Sequence, residues 1–370
     1  MNDIDLTYRI AFGMIRSMGV DLAQKFLAVI PSEKDFFDMP DAELQTITSS
    51  RSRITEKSYR NACLEKAQHE LDFIEKNGIA VTYFTDSNYP RRLLNAADSP
   101  IVLFSLGTCN LNAQHVVSIV GTRRCTEYGR HYCTALVQQL TEQLDDVVIV
   151  SGLAYGTDIT AHRAAMKCDV PTVAVQACGL NKIYPAEHRN DAVEIVRRGG
   201  AIVSDYTSQD TLHRGNFVAR NRIIAGLSDC TVVVESAEKG GSLITAHIAQ
   251  SYDRDVFALP GRVGDEYSKG CNRLIQNNQA MLITCADDLI NAMRWESKKS
   301  NKPTAELEMF PSLNAEEQKV VDIIRQAGDI HINTLAERAG MPVYRIMSTV
   351  VELDCRGIII TLPGCRYTMA

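Results

Sequence analysis

Between about residues 79 and 293, short β-branched runs alternate with amphipathic helical stretches, and this alternation limits the chain to one fold class. The runs are Ala80–Phe84, Val116–Val120, Val147–Val150, Thr172–Gln176, Ala201–Ser204, Thr231–Glu235, Val256–Leu259 and Ala280–Thr284. Helical patterns fall between most of them, among them Gly129–Gln143, Thr160–Lys167 and Ser242–Ser251. Strands that alternate with helices imply βαβ units, and so an α/β core with a parallel sheet covered on both faces. Such sheets bind ligands at the carboxyl ends of their strands. Those ends are where this sequence concentrates glycine.

The flanks have a different character. Residues 1–78 read as helical, from apolar spacing at Ile10, Met14 and Ile15, at Leu22, Phe26 and Leu27, over Asp35–Ile47, and over Ala62–Ile74 with a stop at Asn77-Gly78. The pattern predicts a small helical domain of helix-hairpin-helix or SAM-like type. Core residues 79–295 are followed by a Ser-, Lys-, Asn- and Pro-containing stretch, 296–312, that reads as a linker. In 313–370, Asn314 and Glu317 form a capping-box signature for a helix to about Ala327. Helices over Asn333–Ala339 and Pro342–Arg356 follow, then strands Ile358–Thr361 and Arg366–Met369 joined at Pro363-Gly364. Three helices and a hairpin are the order of a winged-helix domain.

Composition closes several alternatives. The chain has 370 residues, 45% hydrophobic and 23% charged, which is ordinary globular composition. No apolar stretch is long enough to span a membrane, and residues 1–10 lack the layout of a signal peptide, so a cytoplasmic protein with no membrane partner is expected. Eleven cysteines without C-x-x-C spacing predict reduced thiols rather than a metal site or disulfide framework. No cofactor is called for. The formal net charge is −6, so any affinity for nucleic acid has to come from a local basic patch.

Four glycine-rich turns follow predicted strands. They contain Gly121-Thr122-Arg123, Ser151-Gly152 through Gly156-Thr157, Cys178-Gly179, and Lys239-Gly240-Gly241-Ser242. Glycine lets backbone approach an anion, and a helix N-terminus attracts negative charge; tight βα connections account for single turns equally well. There is neither a P-loop signature nor a clean dinucleotide fingerprint. The segment Arg214 to Arg222 holds three arginines, Phe217 and Asn221, and no carboxylate. Arginine forks for phosphate beside an aromatic that stacks a base are the working parts of a single-strand groove. The plain structural alternative is a solvated helix start with Arg222 paired to Asp229 or Glu235.

These pieces together resemble the DNA-processing protein A family. Those that carry the resemblance are Ile119-Val-Gly-Thr-Arg123, Ser151-Gly-Leu-Ala-Tyr-Gly-Thr-Asp-Ile-Thr-Ala-His162, Gly179 to Pro185, Phe217-Val-Ala-Arg-Asn-Arg-Ile-Ile-Ala-Gly-Leu227, Val232 to Glu235, Gly241 to Ala246, Val256 to Gly261 and Gly270 to Ile275. The resemblance implies an extended Rossmann-like core that binds single-stranded DNA, a RecA-type recombinase as partner, and a homodimer. It implies that Arg123 holds a phosphate, that Gly121 and Thr122 offer further contacts, that Arg220 and Arg222 line the groove, and that Phe217 sits beside a base. Val218, Asp205-Tyr206 and Arg189 depart from the family pattern and leave local geometry open.

Particular residues admit other readings. Asp158 and His162 lie four apart on one helix face, as an acid–histidine pair or, more simply, as a cap and a packed histidine. Glu235 ends a strand where a general base could stand. A nucleotide phosphoribohydrolase is only echoed by Lys239 to Thr245, because Ala246 and His247 stand where its glutamate belongs. A winged-helix regulator of duplex DNA is disfavoured by Glu352 and Asp354 beside Arg345 and Arg356 on the third helix. The expectation is therefore a protein that binds DNA without catalysing a reaction.

Overall fold

The computed structural model describes residues 3–15, 18–48, 52–96, 98–298, 313–362 and 364–369. The chain divides into two compact units, 1–299 and 300–370. The first opens with α1 (Asp3–Gly13), α2 (Val20–Leu27), α3 (Glu33–Asp38), α4 (Asp41–Thr48) and α5 (Lys57–Asn77). The single helix expected over Asp35–Ile47 is broken at Met39, which is extended at ψ 137° because the next residue is Pro40. Gly78 ends α5 in the left-handed region at φ 62°, as the Asn-Gly signal implied.

A nine-stranded sheet follows, with order β1-β2-β6-β5-β4-β3-β7-β8-β9. Its strands are β1 (Ala80–Tyr83), β2 (Val102–Gly107), β3 (His115–Val120), β4 (Val147–Ser151), β5 (Thr172–Val175), β6 (Ala201–Ser204), β7 (Cys230–Val233), β8 (Asp255–Ala258) and β9 (Met281–Leu282). From β6 to β9 all pairings are parallel, while β1–β2 and β2–β6 are antiparallel. The expected parallel sheet with helices on both faces is present, and two antiparallel pairings extend it at one edge. β2, in the run Ile101 to Leu106, is not among the strands read from the sequence.

The helices of this unit are α6 (Arg91–Leu94), α7 (Glu127–Gln143), α8 (Thr157–Lys167), α9 (Arg189–Arg197), α10 (Arg214–Leu227), α11 (Gly241–Ser251), α12 (Lys269–Gln276) and α13 (Ala286–Met293). Strand alternation sorts the two layers. Val116, Val148 and Val150 join Ile223, Ile224 and Ala246 in one core, while Val117, Val147 and Ile149 join Leu136, Leu140 and Ala161 in the other. After β3 the chain works outward through β4, β5 and β6, then returns through α10 to β7 on the other side of β3. That reversal opens a crevice at the strands' carboxyl ends between the two connections.

The boundary expected at residue 78 falls inside the first unit. Ile10, Phe12, Phe36 and Leu71 share one continuous core with Leu103 and Val203 of the sheet. A polar tie reinforces it, since the Glu70 carboxylate accepts from Ser208 N at 2.9 Å and from Ser208 Oγ at 2.6 Å. Burial pushes the Glu70 carboxyl up, and these hydrogen bonds pull it back.

The second unit contains α14 (Ala315–Ala327), β10 (Asp329–His331), α15 (Ile332–Ala339), α16 (Val343–Cys355), β11 (Ile359–Leu362) and β12 (Arg366–Met369). Its sheet has the order β10-β12-β11, so a third strand joins the predicted hairpin. The capping box is present, with Glu317 N donating to Asn314 Oδ1 and Asn314 N to the Glu317 carboxylate, both at 2.8 Å. The unit has its own core, including Val320, Ile324, Leu335, Ile346 and Val350. Of the expected linker 296–312, residues 299–312 lie outside the described residues, as does Pro363 of the expected turn. Among the described residues no helix is long and apolar enough to cross a membrane.

Arg60 is the largest fully buried side chain, 0% exposed. It donates to the carbonyls of Ile54 (3.3 Å), Thr55 (2.8 Å) and Met39, joining the turns on either side of α4 to α5. Arg60→Ala leaves those acceptors unpaired in the interior. It is expected to cost about 3 kcal/mol or more, read as a lowered denaturant midpoint with far-UV signal retained below the transition.

Candidate nucleic-acid interface

The crevice is an open groove of about 320 Å³. One wall is the turn after β3, with Gly121, Thr122 and Arg123. The opposite walls are the N-terminal end of α11, with Gly240, Gly241 and Ser242, and a face of α10 that presents Phe217, Val218 and Asn221. The β3 turn is held from below. Thr122 N donates to Glu235 O at 2.7 Å, and the Glu235 carboxylate accepts from Thr126 N at 2.8 Å and from Thr126 Oγ1. Thr126 in turn caps α7 through Gly129 N. Glu235, considered above as a base, is therefore a buried brace of this turn.

The two helix N-termini that sequence singled out have different fates. At α11 the cap position is Gly240, which offers no side-chain acceptor; Leu243 N turns back to Gly240 O at 3.2 Å, and Gly241 and Ser242, the first two residues of the helix, line the groove. Ser242 Oγ donates to Ser236 Oγ at 2.9 Å, and Lys239 is exposed alongside without lining the groove. At α8 the end is closed by protein. Thr157 N donates to Thr122 O at 3.2 Å, and Gly156, at φ 76°, has its Cβ position 2.3 Å from that same oxygen, so a side chain is excluded. Ser151 is fully buried and donates to Ile119 O at 2.6 Å. Ser151, Gly156 and Thr157 thus stand behind the groove and shape it from there. Gly152 lines a smaller cleft beside it.

The arginines separate in the same way. Arg123 is exposed, has no carboxylate partner among the described residues, and places its guanidinium 5.6 Å from the Phe217 ring centroid. Arg220 is 4% exposed and donates to Gly152 O at 2.6 Å and to Val175 O, so its fork is committed to backbone. Burial lowers its pKa, and the nearby Asp158 carboxylate offsets that. Arg222 lies off the groove, ion-paired with Asp205 and donating to Asp98 O. Neither carboxylate foreseen as its partner is available, because Asp229 pairs with Arg92 and Glu235 holds Thr126. Of the two arginines expected to line the groove, Arg220 does line it, with its fork hydrogen-bonded to backbone, whereas Arg222 is outside the lining and tied to Asp205. Arg214, the first residue of α10, is exposed and outside the groove lining.

Tyr155 and Tyr184 were missed as site residues. Each is 41% exposed, and both line the side cleft with Arg123 and Phe217. The available signal was an aromatic in each of two glycine-containing turns after strands, which was read there only as turn chemistry.

Asp158 and His162 do not pair. Asp158 Oδ2 accepts from Ala154 N at 3.3 Å at the start of α8. His162 Nδ1 meets Thr172 Oγ1 at 2.8 Å, while its Nε2 is buried without a partner. Among the described residues no three metal-ligating side chains cluster, and the ten described cysteines are free.

A doubly wound, mostly parallel sheet with an open groove at its switch point defines a Rossmann-type fold. The family model described as DNA recombination-mediator protein A matches residues 80–294, and the chain belongs to that family. Protein Smf of Escherichia coli is 34% identical over 280 residues, covering 75% of this chain and 74% of its own length. DNA processing protein DprA of Streptococcus pneumoniae is 38% identical over 205 residues, 55% of this chain and 71% of its own length. The X-ray structure of that protein superposes with a TM-score of 0.65 at 28% identity, over 79% of this chain and 98% of the other. A DprA structure from Helicobacter pylori, described for its single-stranded DNA binding mode, superposes with a TM-score of 0.52 at 30% identity, over 58% and 95% of the two chains.

Burial pushes His162 down to about 3, so the folded protein keeps it neutral while the unfolded chain protonates it below about 6.5. Stability should therefore fall as pH drops from about 6.5 towards 3, with up to one proton, about 1.4 kcal/mol per pH unit, from this residue. His162→Asn is expected to flatten the pH dependence of the unfolding midpoint across that window by up to this amount.

Proposed function

We propose that the groove binds single-stranded DNA, largely irrespective of base sequence, and that the protein is a non-enzymatic mediator that loads a RecA-type recombinase onto the strand. In this reading it works in the cytoplasm as a homodimer, without cofactor, in recombination, in DNA uptake by natural transformation, or in both. The observation that carries it is the unpaired Arg123 beside Phe217, across the groove from the bare N-terminus of α11. A cation and exposed N–H groups take phosphate oxygens, while a ring face takes a base, and a base face is available only where the strand is unpaired. Family membership and the ligand of the H. pylori relative support the same reading.

The duplex-reading alternative receives little from the second unit. The outer face of α16 presents Tyr344 (75% exposed), Met347 (52%) and Val351 (60%), and Arg345 lies 3.7 Å from Glu316. An apolar face with its arginine neutralised does not match the phosphate-rich walls of a major groove.

The test is fluorescence anisotropy with a labelled oligonucleotide, single-stranded against duplex, across a salt series. The single strand is expected to bind more tightly. Arg123→Ala should weaken binding and flatten the slope of log K against log salt by roughly 0.7, one phosphate contact on a single strand. An unchanged slope in that variant, or a preference for duplex, would sink the proposal.

A further inference from the structure

Beside the groove, towards β4 and β5, lies a smaller cleft of about 10 Å³, room for about one water, so a larger ligand meets its aromatic residues from the rim. Arg123, Tyr155, Tyr184 and Phe217 surround it over Gly152 and Ala177, and it shares Arg123 and Phe217 with the groove. Two partly exposed tyrosines facing one concavity leave aromatic surface uncovered that proteins ordinarily bury. The rings are nevertheless held in place. Tyr155 packs edge-on against His188, with centroids 4.9 Å apart, and His188 Nδ1 is fixed to Leu153 O at 2.7 Å. Tyr184 packs on Phe217 at 5.1 Å, and its backbone N donates to Gln176 Oε1 at 3.3 Å. Rings fixed in this way lose little side-chain freedom when a flat ligand stacks on them.

We infer that Tyr155 and Tyr184 form a second stacking subsite that takes a nucleobase of the bound strand next to the base at Phe217. The inference rests on the single-strand reading above and adds to it where a further base goes. Arg123 stands on the rim common to both concavities, where the phosphate joining two neighbouring nucleotides would lie. Below the rings the cleft is closed by Gly152, Ala177 and the buried Arg220 guanidinium, whose terminal nitrogen is committed to Gly152 O and Val175 O, so a base is held at the tyrosines by its face, a contact open to every base.

Stacking differs from phosphate contact in its salt response, because no counterion is released. Tyr155→Ala and Tyr184→Ala in the full chain are therefore expected to bind a base-bearing oligonucleotide roughly 5- to 100-fold more weakly with an unchanged salt slope. On an abasic oligomer of the same length these variants should match the unsubstituted protein. Tyr184→Phe should recover the affinity lost in Tyr184→Ala, which separates a stacking role from a folding defect, with the unfolding midpoint of each variant as a second check. Alanine variants that bind the base-bearing strand undiminished would overturn the subsite, as would an equal loss on the abasic oligomer. Failure of the unsubstituted protein to bind single strands at all would instead remove the underlying reading, and this subsite with it.

Discussion

A guanidinium buried beneath the groove sets the geometry of everything above it. Arg220 reaches down from α10 and donates to Gly152 O, just past β4, and to Val175 O at the end of β5. A buried charge is tolerated only where hydrogen bonds and an opposite charge compensate it, and here carbonyls and Asp158 do so. The bonds lock α10 across the carboxyl ends of the strands. Phe217 and Asn221, three residues before and one after Arg220, then lie on the wall of the groove. The conspicuous arginine in the middle of the basic segment is thus scaffold, and the neighbouring ring and amide are surface.

The same logic explains the division among the glycine-rich turns. Each turn leaves N–H groups to be satisfied, and the question is whether protein or ligand does it. At α8 the carbonyl of Thr122 fills the place, which welds the β3 turn to the β4 turn. At α11 nothing in the side-chain set fills it. Glu235 holds the β3 turn from the other side, so Arg123 projects from a loop fixed at several points. The net charge of −6 thus says little about the groove, whose exposed cation, Arg123, has no carboxylate partner among the described residues.

The N-terminal helices belong to this framework. Their phenylalanines share the core of the sheet's edge, and Glu70 reaches the loop that follows β6. That loop leads into α10, so the helical segment supports the element that forms the groove wall. The second unit is built around its own core, and its α16 presents an apolar rather than a basic face.

Sequence alone determined most of the elements and their order. β-branched runs, helical spacing and glycine punctuation act locally, so strand and helix positions in the core, the stop at Gly78 and the capping box at Asn314 were legible, as was the neighbourhood of the groove in Gly121 to Arg123 and Phe217. What only the tertiary structure decided was the partner of each polar group. β2 is an antiparallel strand because it pairs with β1 and β6, which its apolar run does not encode. Arg123, Arg220 and Arg222 are alike in sequence, yet one meets no carboxylate, one is buried under Gly152 and one is tied to Asp205. Tyr155 and Tyr184 lie 29 positions apart and face the same cleft only because β4 and β5 are neighbours in the sheet. Local periodicity encodes which way a side chain points on its own element; what it meets there is set by residues far away in the chain.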